Sequence, residues 1–168
     1  MTATVRTGYS PVVEFDPARL VLEALEREGV QYAVFGAVAL GIHGLARSTE
    51  DLDVFVAPER DNIDRLKQAL RSVFADPSIE EISADDLLGD YPAVQYVPPE
   101  GAFHVDILTR LGEAFRWQDL EVLRMPFEGL TVNVVSPQTL YRMKRDTVRA
   151  KDRADAEVLR RRFGLEDE

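Results

Sequence analysis

The 168-residue sequence contains no cysteine, only two histidines and a single tryptophan. Without cysteine it has no disulfide framework, no thiolate metal site and no cysteine nucleophile. Two histidines without thiols also argue against a zinc site. No apolar run reaches the roughly 20 residues that a membrane-spanning helix needs, and the N-terminus lacks the apolar core of a signal peptide. The sequence therefore predicts a protein of the reducing cytoplasm without a membrane partner.

The sequence also has fewer basic than acidic residues, 20 against 30, so its formal net charge is −10. This balance disfavours a protein that depends on non-specific contact with nucleic acid. The basic residues are nevertheless concentrated near the end of the chain, with nine of the 20 between Arg142 and Arg162. One basic element on an acidic body can still face phosphates.

Length and composition indicate one ordinary globular domain, since 45% of the residues are hydrophobic and 30% charged. We interpret residues 1–15 as a loose tail and residues 16–168 as a single domain that includes basic C-terminal helices at about 137–164. Hydrophobic periodicity gives the element order α-β-α-β-α-β-β-β-β-α. This order predicts a mixed sheet flanked by helices, in the α/β or α+β class.

The boundaries of these elements are set by capping and turn residues. The predicted helices run from Asp16-Pro17 to Gly29, from Ala37 to Leu45, from Pro58 to Asp76, and from Ser136-Pro137 to Gly164, the last with or without a break near Ala150. The predicted strands are 32–35, 51–56, the hairpin 94–97 and 103–108, and the hairpin 122–127 and 130–135.

Three aspartates are the strongest candidates for chemistry. Asp51 and Asp53 alternate with apolar residues, so both project from one strand face, about 6.6 Å apart along the chain. Asp106 lies in a second apolar strand, where a carboxylate without a partner is costly to bury. A shared cation removes that cost, and Mg²⁺ favours carboxylate oxygens together with substrate phosphates. The pattern predicts a Mg²⁺ site, with Mn²⁺ as an alternative ion; the competing interpretation is a solvated strand end.

Upstream of the aspartates, Gly36-Ala37 forms a strand-to-helix junction where backbone N–H groups can approach a phosphate. Taken alone, this glycine is as well explained by the end of a strand. Arg47 can bind phosphate through its guanidinium, or it can pair with Glu50 or Asp51 on the surface.

Together these motifs resemble the DNA polymerase β-like nucleotidyltransferase superfamily, and most closely its AbiEii-like branch. The matching residues are Phe35-Gly36-Ala37, a gap of thirteen residues, Asp51-Leu52-Asp53-Val54 and Val105-Asp106-Ile107. The branch is further indicated by His43-Gly44, Arg47 and Ser48-Thr49 before the aspartates, and by Lys144, Lys151-Asp152 and Asp155 in the tail. The resemblance covers roughly residues 30–160.

The resemblance implies a minimal nucleotidyltransferase fold with a C-terminal helical element. It implies that Asp51, Asp53 and Asp106 bind Mg²⁺, that Asp106 activates an acceptor hydroxyl, and that Gly36, Ala37, Arg47, Ser48, Lys144 and Lys151 bind the nucleotide. The implied reaction transfers a nucleoside monophosphate from a nucleoside triphosphate (NTP) to the acceptor and releases pyrophosphate. The acceptor is left open between a tRNA or other RNA end, a small molecule and a protein, and an antitoxin is an implied partner.

Ala37 departs from the superfamily pattern, where serine or glycine is usual, and an alanine cannot donate a hydroxyl hydrogen bond to phosphate. This supports an alternative in which a catalytically degenerate member binds a nucleotide or a protein partner.

Four further residues have predicted roles. His43 is expected to be packed, while His104 is left open between contacting the acceptor and orienting Asp106. Trp117 is expected to serve packing. The basic C-terminal helix is expected to turn Lys144 toward the triphosphate, so that Lys144→Ala weakens NTP binding with little loss of melting temperature.

Overall fold

The computed structural model describes residues 16–45, 50–145, 147 and 149–166. The predicted tail at 1–15 and the predicted nucleotide-binding residues Arg47 and Ser48 lie outside the described residues. Within the described part of the chain, no helix combines the length and the hydrophobicity that crossing a bilayer would require.

Helices and strands follow the predicted order, with several short elements added. The helices are α1 (Pro17–Arg27), α2 (Gly36–Ile42), α3 (Arg60–Val73), α4 (Ala84–Leu88), α5 (Pro137–Arg145) and α6 (Ala150–Phe163), with 3₁₀ turns at Pro77–Glu81 and Trp117–Asp119. The strands are β1 (Tyr32–Phe35), β2 (Asp51–Val56), β3 (Ala93–Tyr96), β4 (His104–Leu108), β5 (Arg110–Leu111), β6 (Phe115–Arg116), β7 (Val122–Phe127) and β8 (Leu130–Val135).

Six of the strands form one mixed sheet in the order β3-β4-β2-β1-β8-β7. The pairs β2–β4 and β1–β8 are parallel and the other neighbours are antiparallel. Strands β5 and β6 form a separate two-stranded ribbon. The prediction of a mixed sheet flanked by helices, in the α/β or α+β class, is confirmed.

Local signals explain where the first helix begins and what it buries. Asp16 caps α1 by accepting a hydrogen bond from the backbone N–H of Ala18 at 2.9 Å, and Pro17 occupies the first helical turn. Helix α1 packs beside α3, and both contribute completely buried leucines to the core. Burial of one such side chain stabilises the fold by about 1.5–3 kcal/mol.

Several features differ from the sequence-based expectation, and one open alternative is decided. Helix α3 begins at Arg60 rather than Pro58. The ribbon of β5 and β6 was not predicted, because two-residue strands are too short to show a hydrophobic alternation. Of the two alternatives for the C-terminal helical pattern, the structure has the one with a break near Ala150: α5 ends at Arg145 and α6 begins at Ala150, so Lys144 and Lys151 lie on different helices.

Candidate active site

The register of two parallel strands brings the predicted aspartates together. Asp53 on β2 lies opposite Asp106 on β4, and Asp51 lies opposite His104. The residues between them point to the other sheet face and are completely buried: Leu52, Val54, Val105 and Ile107. Because side chains alternate along a strand, the aspartates share the open face. All three line one cleft of about 340 Å³.

Gly36 lets the chain pass directly beside Asp53. Its φ of +73° lies in the left-handed region that favours glycine, and a Cβ atom added to it would lie 2.8 Å from Asp53 Cγ and overlap Asp53 Oδ2. The turn from β1 into α2 therefore supports the Asp53 carboxylate, and a side chain at position 36 would displace it. Gly36 and Ala37 both line the cleft.

Burial, and then the nearby Asp106 carboxylate, raise the pKa of Asp53 to about 7. Asp106 contributes through its charge and a hydrogen bond, Asp51 contributes a smaller repulsion, and the Lys144 ammonium group acts in the opposite direction. The neighbouring carboxylates are thus close enough to disfavour the ionisation of Asp53. A bound cation would relieve this repulsion.

His104 joins the carboxylate cluster, although the sequence left its role open. Its Nε2 atom lies 2.9 Å from Asp51 Oδ1 and 3.6 Å from Asp106 Oδ2. One ligand atom from each of Asp51, His104 and Asp106 lies within 4.8 Å of the others, so these side chains could also hold a metal ion. His104 therefore lies beside both aspartates, with the shorter distance to Asp51. Only the β2–β4 register shows this contact, because the two residues lie in separate segments of the sequence.

Basic side chains line the same cleft, together with Asp152 and Asp155. Lys144 from α5, Arg149 before α6 and Lys151 within α6 all line it. Lys151 is exposed, as is the Arg149 side chain at 70%. The predicted nucleotide-binding residues that the structure describes (Gly36, Ala37, Lys144 and Lys151) thus lie in the same cleft as the aspartates.

Lys144 is held by two carboxylates of α6. Its Nζ atom lies 3.1 Å from Asp152 Oδ1 and 3.2 Å from Asp155 Oδ2, and its side chain is 13% exposed. Asp155 is almost completely buried. Lys144 therefore joins α5 to α6 at the cleft wall, in addition to presenting positive charge to Asp53. The sequence showed Asp152 and Asp155 three residues apart, but not which cation they contact.

These ion pairs change the expected result of Lys144→Ala. The sequence alone predicts little loss of melting temperature, whereas Lys144→Ala takes one cation away from Asp152 and from the buried Asp155. We expect the free energy of unfolding to fall by about 3 kcal/mol, and the melting temperature by about 6–12 °C. NTP binding should weaken as well, as measured by titration calorimetry below the lowered melting temperature.

Arg160→Ala is the matched control for this substitution. Arg160 pairs with Glu157 on the outer part of α6, and both side chains are more than 40% exposed. Such a pair contributes about 0–1 kcal/mol. Equal, small effects of the two substitutions on stability and on NTP binding would mean that Lys144 has no special role.

His43 is packed, as predicted. It is buried, its Nε2 atom lies 2.8 Å from the carbonyl oxygen of Val135, and its ring meets Phe163 edge to face. Trp117 is partly buried and packs against the hydrophobic core, which also agrees with the packing interpretation.

Solved structures of similar fold are nucleotidyltransferases. The crystal structure of ANT(2″)-Ia in complex with adenylyl-2″-tobramycin has 12% sequence identity, covers 87% of each chain and gives a TM-score of 0.55. An antigenic nucleotidyltransferase-like protein from Paracoccidioides brasiliensis has 19% identity, covers 86% of this chain and 75% of its own, and gives a TM-score of 0.50. At these identities the likeness shows the fold alone, which is that of a nucleotidyltransferase.

The family is shown by the sequence. The family described as "Nucleotidyl transferase AbiEii toxin, Type IV TA system" matches residues 20–162, which is most of the chain. The protein therefore belongs to the AbiEii nucleotidyltransferase family, and the resemblance seen in the motifs is confirmed. Comparison with the curated proteins gives no match.

Proposed function

We propose that this protein is a Mg²⁺-dependent enzyme that transfers a nucleoside monophosphate from an NTP to an acceptor hydroxyl and releases pyrophosphate. The observation that carries the proposal is the presence of a carboxylate cluster and several cations in one cleft. Asp51, Asp53 and Asp106 line it from β2 and β4, and Lys144, Arg149 and Lys151 line it from the C-terminal helical region, together with Asp152 and Asp155. An NTP with its metal ion needs both kinds of group at once.

The donor set fits Mg²⁺. Carboxylate oxygens from two adjacent strands are the ligands that Mg²⁺ and Mn²⁺ favour, and their mutual repulsion calls for a cation. When bound, such an ion would supply charge neutralisation on the triphosphate and a lower pKa of the attacking hydroxyl. Asp51, Asp53 and Asp106 would hold it, with His104 fixing the orientation of Asp51.

The cations that line the cleft would bind the phosphates. Arg149 and Lys151 are the more accessible of the three, whereas Lys144 is already held by Asp152 and Asp155. We therefore assign direct phosphate contact chiefly to Arg149 and Lys151. Arg47 and Ser48 stay predictions as nucleotide-binding residues.

In the reaction, the acceptor oxygen would form a bond to the α-phosphorus, and the bond from that phosphorus to the bridging oxygen of the β-phosphate would break. Pyrophosphate leaves with the electron pair of the broken bond. Asp106 would take the proton of the acceptor hydroxyl. The amide of Gln95 donates a hydrogen bond of 3.2 Å to Asp106 Oδ1 and holds that carboxylate in place.

Ala37 favours the alternative function. It lines the cleft with a methyl group where a hydroxyl could have bound phosphate. In that alternative the protein binds a nucleotide, or a protein partner such as an antitoxin, without catalysis. For either function we propose the cytoplasm as the location and an antitoxin as a candidate partner.

The experiment is a screen of the four NTPs with Mg²⁺, by thermal shift and by pyrophosphate release. An NTP at one hundred times its Kd should stabilise the fold by about 2.7 kcal/mol and raise the melting temperature by about 5–10 °C. EDTA should abolish the shift. NTP binding without pyrophosphate release in the presence of any tested acceptor would favour the non-catalytic alternative. No shift with any NTP would contradict both the enzymatic function and nucleotide binding, and would leave only the binding of a protein partner.

A further inference from the structure

A second cleft of about 270 Å³ adjoins the carboxylates on the side of the edge strand β3. It shares Phe35, Asp53 and Asp106 with the first cleft. Its remaining lining comes from β3 and β4: Ala93, Val94, Gln95, Ile107 and Leu108. A molecule seated here would therefore touch the same carboxylates as a nucleotide in the first cleft.

The two clefts differ in charge. Lys144, Arg149 and Lys151 line the first cleft, whereas no lysine or arginine among the described residues lines the second. In the described part of the chain, the charged groups that line the second cleft are the shared aspartates Asp53 and Asp106. A phosphate group loses hydrating water when it binds, and cations or N–H donors of the protein must compensate for that loss. The second cleft is therefore unsuited to a phosphate-bearing ligand.

The walls of the second cleft offer apolar contact and one amide. Ala93 pairs with Leu108 across β3 and β4, and Gln95 pairs with Asp106, so these four side chains share the open face of the sheet. Gln95 is exposed and its Nε2 atom donates to Asp106 Oδ1 at 3.2 Å. The amide thus stands beside the carboxylate that we assign as the proton acceptor.

We propose that the second cleft is the acceptor site and that the acceptor is a small hydroxyl-bearing molecule without phosphate groups. Its hydroxyl oxygen would form the bond to the α-phosphorus of the NTP, pyrophosphate would leave, and the hydroxyl proton would pass to Asp106. An apolar face of the acceptor packs on Phe35, Ala93 and Leu108. This inference rests on the proposed function and narrows its acceptor.

Size and charge together disfavour an RNA end. A cleft of about 270 Å³ is slightly smaller than the roughly 300–1,000 Å³ usual for small-molecule sites, so it has room only for a small acceptor. In an RNA acceptor, phosphate groups link the terminal nucleotide, which carries the hydroxyl, to the rest of the strand. Proteins bind such phosphate groups mainly through lysine and arginine. The net charge of −10 adds a repulsion to any longer polyanion.

The first test follows the label from α-³²P-NTP. The full-length protein, Mg²⁺ and the NTP that binds are incubated separately with three fractions of an extract of the expressing cells: small molecules, RNA and protein. We expect label in the small-molecule fraction. Label in RNA or protein, or in no fraction despite NTP binding, would overturn the acceptor proposal. Absence of NTP binding would instead contradict the proposed function.

The second test fills the cleft with Ala93→Trp. Ala93 is exposed on an edge strand, where an aromatic residue is well tolerated. We expect transfer to the small-molecule fraction to fall about tenfold or more through the acceptor KM, with the Kd for the NTP unchanged within about twofold. Val97→Trp is the matched control, because Val97 is 54% exposed just beyond β3 and lines neither cleft. Equal transfer by the two variants would overturn the proposal.

Discussion

Asp53→Asn is expected to lower pyrophosphate release by about three orders of magnitude while the melting temperature stays the same or rises slightly. Asp53 is central to the cluster, since it lies opposite Asp106 and against Gly36. Asparagine has nearly the same shape but removes the charge that Asp106 and Asp51 disfavour. The folded state therefore loses a repulsion, whereas the metal and the NTP lose a ligand.

The measurements are steady-state pyrophosphate release, calorimetric NTP binding with Mg²⁺, and thermal unfolding without metal. Asp64→Asn is the control, because Asp64 is exposed on α3 and lines neither cleft. It should change none of the three quantities. If Asp53→Asn unfolds the protein while NTP binding of the folded fraction is unchanged, Asp53 is a structural residue and the proposed metal site is wrong.

Gly36→Ala is expected to damage both the fold and the site. A left-handed backbone costs an L-residue about 1–2 kcal/mol, and the added Cβ would overlap the Asp53 carboxylate. We expect the free energy of unfolding to fall by about 2 kcal/mol or more and the melting temperature by about 4–8 °C. Activity should fall by about one hundredfold even in folded protein, because a displacement of about 1 Å at a reacting group is enough for such a loss.

Gly41→Ala, five residues later in α2, is the matched control. A Cβ atom at position 41 would meet no heavy atom within 4 Å, and Gly41 lies within the helix rather than at the turn. Alanine there should stabilise the protein by about 0.5–1 kcal/mol and leave activity unchanged. A Gly36→Ala variant as stable and active as Gly41→Ala would show that Asp53 can move without consequence.

The local elements followed from the sequence because local rules govern them. Strand β2 was predicted with its observed bounds, since Leu52 and Val54 alternate with the two aspartates. Helix α1 was marked by Asp16 and Pro17, and the hairpin β7–β8 by Glu128-Gly129. The ribbon was missed because two residues are too few to reveal a strand. The helix break near Ala150 was one of two alternatives, and α6 begins at that residue.

The sequence by itself determined the family and the aspartates on which the proposed function depends, because closely spaced motifs carry that information along the chain. Tertiary structure alone decided what each of these residues touches. The parallel register of β2 and β4 placed His104 against Asp51. The packing of α5 on α6 brought Lys144 into contact with Asp152 and Asp155. The tertiary structure also placed Gln95 and Ala93 on the same sheet face as Asp106, where all three line the second cleft. These contacts join residues distant in the chain, and their geometry follows from strand order and helix packing, which no local pattern encodes.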